Sequence, residues 1–115
     1  MKQKEIMIND KKFAVVFSMK TMIGYENITG KSFFGENFEK MADKIALVMA
    51  AILAANTEAN ITIEEMMNAD TVEKMKQVVD AGKVVMELAG EFFKIPEIEP
   101  KPKEPTDEEG KSTKN

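Results

Sequence analysis

Eleven consecutive apolar residues run from Ile45 to Ala55 near the middle of this 115-residue chain. They belong to a longer segment, residues 37–55, whose apolar residues recur with the period of a helix. The stripe consists of Phe38, Met41, Ala42, Ile45, Val48, Met49, Ile52 and Leu53. In the second half of the segment the opposite face is also apolar, with Leu47, Ala50, Ala51 and Ala54. A helix that is apolar all round is buried on both sides. The pattern therefore predicts either the central helix of the domain or a helix with one side that awaits a partner.

The same run bears on where the protein resides. Eleven residues is well below the roughly 18 that indicate a membrane span. The first residues, Met1 to Glu5, lead into only three apolar residues, which is too short for the apolar core of a signal peptide. The net charge of −4 argues against nucleic acid, because phosphate binding needs clustered Lys and Arg. We expect a cytoplasmic protein with no membrane and no nucleic-acid partner.

The N-terminal residues have the pattern of a β-hairpin. Ile6 and Ile8 fall on one face of a short strand, with Met7 on the other. After a polar turn over residues 9–12, residues 13–17 are β-prone and apolar on both faces. Because an isolated hairpin is marginally stable in water, it must pack on the helices that follow.

Capping signals mark the ends of three further helices. Ser18 is placed as the N-cap of a first helix that ends near Thr29, with Gly30 in the left-handed position after it. Thr62 and Glu65 form the pattern of a capping box for a short third helix. A second such box, Asp70 with Glu73, predicts a last helix over about residues 71–94. The stripe of this helix is Met75, Val78, Val79, Gly82, Met86, Ala89 and Phe93, widened by Val85, Leu88 and Phe92.

All four prolines lie in the last 20 residues, where Ile98 is the only large apolar residue from Pro96 onward. A segment of this composition cannot bury enough apolar surface to offset its ordering entropy. We therefore predict a single domain over residues 1–94 and a disordered, charged tail over residues 95–115. The predicted fold class is mainly α (α+β), with an N-terminal β-hairpin packed on about four helices.

The composition limits the chemistry available to the chain. It has no Cys, His or Arg, so thiol nucleophiles, the usual general base and bidentate anion clamps are all missing. Its adjacent carboxylates, such as Glu64 and Glu65, point in different directions on a helix and cannot share a metal or a proton there. We expect a protein that is not an enzyme and that binds no cofactor and no metal.

Methionine is frequent, with ten residues in the chain. Methionine is flexible and polarizable and is over-used on surfaces that bind varied apolar partners. The alternative is ordinary core filling, together with the amino-acid bias of an AT-rich genome, which would also account for the lack of Arg. Both interpretations remain open on the sequence.

The segment from Ile6 to Phe34 resembles the N-terminal region of small tail assembly chaperones of phages and prophages. The residues that carry the resemblance are Phe13, Phe17, Met19, Lys20, Tyr25, Glu26, Ile28, Thr29, Gly30 and Lys31. They cover about a quarter of the chain. Beyond them, only the succession of helices and the acidic turn capped by Thr62 are similar to the family.

The resemblance implies a non-enzymatic protein of the bacterial cytoplasm. Members of this family bind the tape-measure protein before the tail-tube subunits polymerise around it, and they also contact the tail-tube protein. The alternative is a small structural or head–tail connector subunit that remains in the virion. Self-association into a homo-oligomer is compatible with either role.

A partner-binding surface is expected on the later helices, because one core cannot bury all their apolar residues. We predict that some of five residues form an exposed patch of several hundred Å², a size that marks interaction sites. The five are Leu47, Met66, Met67, Leu88 and Phe92. Met66 and Met67 are preferred, because a short helix has little room to bury two long side chains. The alternative is that the hairpin and the first helix cover all five, and this alternative is favoured for Leu47 and Leu88.

Overall fold

The computed structural model describes residues 2–94, and the predicted tail, residues 95–115, lies outside the described residues. Two strands and four helices follow in the order β1 (Gln3–Ile8), β2 (Lys11–Val16), α1 (Met19–Thr29), α2 (Met41–Ala55), α3 (Ile63–Met67) and α4 (Val72–Phe92). The prediction of a mainly α fold with an N-terminal hairpin is confirmed. None of the helices within residues 2–94 combines the length and the apolar character needed to cross a bilayer.

The hairpin turns through only two residues, Asn9 and Asp10, whose φ angles are 51° and 68°. Positive φ at both positions gives the turn the twist of the flanking antiparallel strands, and Asn and Asp tolerate it best after Gly. The resulting register pairs Ile8 with Lys11 and Ile6 with Phe13. Ile6 and Ile8 are buried while Met7 is 38% exposed on the other face, as the alternation predicts.

Helix α1 begins and ends where the sequence indicates. The Ser18 side chain accepts a hydrogen bond from the backbone of Lys20, and Thr21 Oγ1 accepts one from the backbone N–H of Ser18. At the other end Gly30 has φ 73°, and its N–H donates to the carbonyl of Glu26 at 2.7 Å. The helix therefore stops at a residue that has no Cβ to clash in the left-handed region.

Helix α2 is the central helix of the fold. Elements α1, α3, α4 and β2 all contact it, and every residue from Ile45 to Ile52 is buried. Both apolar faces of the helix are therefore covered by other elements of the chain, as expected for a central helix. The helix starts at Met41 rather than near residue 37, because Phe38 has φ 57° and cannot continue a right-handed helix.

The capping box of α3 is confirmed, since Thr62 Oγ1 accepts from the backbone of Glu65 and Glu65 Oε1 accepts from that of Thr62. The box expected for α4 at Asp70 is wrong. Helix α4 begins one residue later, with Thr71 as N-cap accepting from the backbone of Lys74 at 3.1 Å. The Asp70 carboxylate instead lies 3.4 Å from Lys74 Nζ on the surface.

Candidate functional site

The structure separates the five residues expected to form one exposed patch. Three of them belong to the core, with Leu47, Met66 and Leu88 only 1–3% exposed. Two are exposed, Met67 at 60% and Phe92 at 45%. The preference for exposure is therefore wrong for Met66, whereas Leu47 and Leu88 are buried as the favoured alternative for them predicted, and none of the three belongs to an exposed patch.

Each burial has a local cause. Leu47 lies in the all-buried stretch of α2, the helix that α1, α3, α4 and β2 all contact. Leu88 lies on the inner face of α4 near Phe17. Met66 and Met67 are adjacent in α3, so their side chains point about 100° apart around the helix. One of the pair therefore enters the core while the other faces outward.

The two exposed members do not share a surface. Met67 precedes the first turn of α4, whereas Phe92 is its last residue. A helix of 21 residues is about 30 Å long at 1.5 Å per residue. The chain thus carries two apolar surfaces at opposite ends of α4 in place of the single patch predicted.

The first surface is a groove, which we call the methionine groove, with a volume of about 570 Å³. Its exposed rim is formed by Met41, Met67, Val72 and Met75, which are 40%, 60%, 75% and 46% exposed. Its floor is buried and consists of Ile45, Met66 and Val78. Four methionines from three helices therefore meet in one depression.

Sequence reasoning placed Met41 and Met75 in buried stripes and missed their part in this groove. Both lie in the first turns of their helices, where a stripe begins and fewer elements remain to cover it. The position of a methionine at the start of a stripe, next to a short helix, was the signal available. Among the described residues, Asp70 is the only charged one that lines the groove, and its pairing with Lys74 at the surface contributes little. Attraction at this groove is consequently apolar.

The second surface is a group of five phenylalanines that we call the aromatic cluster: Phe17, Phe33, Phe34, Phe92 and Phe93. The Phe92 ring meets the buried Phe17 edge-on, with ring centroids 5.4 Å apart. Phe34 and Phe93 are 67% and 43% exposed, with centroids 5.9 Å apart. Phe92 therefore has a packing role on one side of its ring and an exposed side on the other.

Polar residues of the segment 6–34 form one network after α1 together with Glu36 and Asp43. The buried Tyr25 hydroxyl donates to Glu36 Oε1 at 3.1 Å. Lys31 Nζ lies 3.0 Å from the same oxygen and 2.8 Å from Asp43 Oδ1. Burial and the hydrogen bond to Glu36 raise the pKa of Tyr25 to about 12. Hydrogen bonds to Asp43 and Glu36 raise the pKa of Lys31 above its ordinary value.

Two more residues of that segment fix the loop that follows. Glu26 Oε2 accepts from the backbone N–H of Phe33 at 2.9 Å, and Thr29 Oγ1 accepts from that of Lys31 at 3.1 Å. Together with the Tyr25 network, these bonds hold the loop so that Phe33 and Phe38 pack against the Tyr25 ring. The segment thus has a structural role in joining α1 to α2.

Within residues 2–94, no group of three or more His, Cys, Asp or Glu side chains converges as metal ligands would. The arrangement at the methionine groove offers flexible apolar contact and no acid–base pair. It is suited to binding a protein or peptide with an apolar face. Comparison of the chain with protein-family models, with curated proteins and with solved structures finds no match.

Proposed function

We propose that this chain is a non-enzymatic tail assembly chaperone of a phage or prophage. Its clients are helices of the tape-measure protein, and it also contacts tail-tube subunits. Two features support the proposal: the resemblance over residues 6–34 and the methionine groove. The lack of His and Cys supports a role without catalysis.

The observation that carries the proposal is the exposure of Met41, Met67 and Met75 around one apolar groove. A volume of about 570 Å³ lies within the range of roughly 300–1,000 Å³ typical of sites that enclose apolar ligands. An amphipathic helix presents apolar side chains at three- and four-residue spacing to such a groove. Because methionine side chains change rotamer easily, they adapt to client helices of different sequence.

The proposal predicts that a neighbouring reading frame encodes a tape-measure protein, and synthetic amphipathic helices from that protein are the ligands of the test. Met67→Ser combined with Met75→Ser removes two rim side chains, and we expect affinity measured by fluorescence anisotropy to fall at least about tenfold. Met19→Ser is the matched control, since Met19 is 65% exposed on α1 and does not line the groove. Equal affinity of the groove variant and the control for every helix would contradict the proposal.

Mass spectrometry of purified virions distinguishes the chaperone from the alternative structural subunit. A chaperone leaves before the particle is complete, so we expect the chain to be absent from particles and present in the lysate. A stoichiometric amount in the particles would instead indicate a structural or head–tail connector subunit.

A further inference from the structure

Strand β1 has an outer edge whose backbone groups have no partner in the sheet. Among residues 2–94 the sheet contains only β1 and β2, and Ile8 and Lys11 flank its two-residue turn. Such a flanking pair exchanges both of its backbone hydrogen bonds, and hydrogen-bonded pairs then alternate along the ladder. The backbone N–H and C=O groups of Gln3, Glu5 and Met7 consequently point away from β2. Within residues 2–94, no other group is hydrogen-bonded to them.

This edge borders a groove between β1 and α4. The groove has a volume of about 380 Å³, and Ile6, Ala81 and Val84 supply apolar lining. Helix α4, on the other side of the groove, is joined to β1 by ion pairs. Lys2 pairs with Glu91 at 2.9 Å and Lys4 with Glu87 at 3.3 Å.

At the turn end, the Asp10 backbone N–H and carboxylate hydrogen-bond to Gln77 at 3.0 and 2.9 Å. Helix α4 is therefore held antiparallel to β1 from one end of the strand to the other. The groove between them is already formed in the chain and does not require a partner to open it.

The charges at the groove favour a basic occupant. Glu5 and Asp80 line it, and neither makes an ion pair within the part of the chain that the structure describes. Lys12 also lines it, which leaves two carboxylates against one ammonium group. An occupant with Lys or Arg opposite Glu5 gains a cross-strand pair of opposite charge.

We propose that the β1 edge binds an extended segment of a partner protein as a third strand. The segment pairs its backbone with Gln3, Glu5 and Met7, directs alternate apolar side chains towards Ala81 and Val84, and carries a basic residue near Glu5 and Asp80. This is the strand-addition mode of peptide recognition, in which main-chain bonds give affinity and alternate side chains give selectivity. It is separate from helix binding at the methionine groove and does not depend on it.

A second copy of this chain fits the edge less well than such a segment. Only odd-numbered residues of β1 present free backbone groups, so two β1 strands must pair odd residues with odd residues. The antiparallel register that overlaps Gln3 to Met7 fully places Glu5 opposite the Glu5 of the other copy. Like charges directly opposite one another destabilise a strand pair.

The probe is a blocked, fluorescently labelled peptide of sequence TVKVRVT, which combines β-branched residues with two basic ones. Two N-methylated versions, one for each set of alternate amides, serve as backbone controls. In strand addition only one set faces β1, so methylation of that set abolishes binding and methylation of the other set leaves it intact. In NMR spectra, the amide signals of Gln3, Glu5 and Met7 shift on titration with the parent peptide.

Substitutions in the protein, rather than in the peptide, test the same contacts. Asp80→Asn is expected to weaken binding about two- to fivefold, the usual strength of an exposed ion pair. Glu58→Gln, in the exposed loop between α2 and α3, is the control for net charge and leaves binding unchanged. Glu5→Pro removes an outward N–H without removing a bond to β2 and abolishes binding. Circular dichroism verifies that this variant folds, and if it does not, the methylated peptides and Asp80→Asn carry the test.

Three results would overturn the proposal. The first is no saturable binding at millimolar peptide, and the second is equal binding of both methylated peptides. The third is sedimentation that shows a dimer which Glu5→Pro disrupts, because the edge would then belong to a second copy. The combined Met67→Ser and Met75→Ser variant retains peptide binding, so failure here is distinguishable from failure of the chaperone proposal.

Discussion

Gly24 of α1 lies against Ala50 of α2, so closely that a Cβ atom added at residue 24 would be 3.3 Å from the Ala50 Cβ. This contact lies where α1 packs on the central helix. Both residues are small, so the two backbones approach one another there. A larger side chain at either position must separate the helices or distort one of them.

Gly24→Leu is therefore expected to lower the free energy of unfolding by about 1–3 kcal/mol, the usual cost of overpacking a close contact. Gly90→Ala is the matched control, because a Cβ at residue 90 of α4 would meet nothing within 4 Å. It should stabilise the protein by about 0.5–1 kcal/mol through helix propensity. Urea unfolding measures both, and a Leu variant as stable as the parent would contradict the contact.

Met66 and Met67 are neighbours in α3, but one is buried and the other exposed, and substitution of each tests this difference. Met66→Ser removes a side chain that is 2% exposed and should cost about 2–5 kcal/mol. Met67→Ser changes a side chain that is 60% exposed and should alter stability by less than about 0.5 kcal/mol. Thermal or urea unfolding of the two variants compares them directly. Similar losses in both would show that Met67 is also covered.

The capping box of α3 gives a third prediction. Thr62→Ala removes the side-chain oxygen that accepts from the Glu65 backbone and should cost about 1 kcal/mol. Thr62→Ser keeps that oxygen and should cost much less. Because α3 holds Met66 in the floor of the methionine groove, hydrogen exchange should show faster opening of residues 63–67 in the Ala variant. Unchanged exchange there would contradict the role of the cap.

The raised pKa values of Tyr25 and Lys31 predict that the protein loses stability at alkaline pH. Both pKa values are raised in the folded state, Tyr25 from 10.0 to about 12 and Lys31 above its ordinary value. The folded state therefore holds these protons more tightly than the unfolded state. Their contribution is complete below about pH 10 and is lost as the pH rises through the folded-state pKa values. Urea unfolding at a series of pH values measures this loss.

Tyr25 is the only tyrosine in the chain, so the ultraviolet absorbance of tyrosinate reports its titration without ambiguity. Tyr25→Phe removes the tyrosine contribution and should make stability less dependent on pH above pH 10. Lys31→Met removes two ion pairs and should raise the pKa of Tyr25 slightly, because the Lys31 ammonium lowers that pKa while burial, the main cause of its elevation, is unchanged. A Tyr25 titration near pH 10 in the folded protein would contradict the buried network.

Local signals in the sequence were sufficient for the hairpin and for most helix ends. The Ser18 cap, the Gly30 terminus and the Thr62 box involve residues no more than four positions apart, so their geometry follows from nearby backbone groups. The exceptions are local as well. Thr71 and Asp70 are both acceptable caps, and only the path of the chain into α4 selects Thr71. Nothing in the residues around Phe38 predicts its left-handed backbone conformation.

The candidate site was predicted only in part. Of the five candidates for one patch, Met67 and Phe92 are exposed, whereas Leu47, Met66 and Leu88 are buried, against the preference for exposure at Met66. Periodicity gives the face of a helix on which a residue lies, but it does not give the element that covers that face. The elements that cover α2 include α4, which begins at Val72 although α2 already ends at Ala55.

The sequence by itself determined the type and order of the elements, because capping, turn geometry and hydrophobic period act between residues close together in the chain. Only the tertiary structure decided which apolar faces remain open. It covered both sides of α2 within the chain and opened the methionine groove where α2, α3 and α4 meet. In the part of the chain that the structure describes, it also left the outer edge of β1 without a strand. Burial depends on contacts between distant segments, and one helical stripe is compatible with several such arrangements.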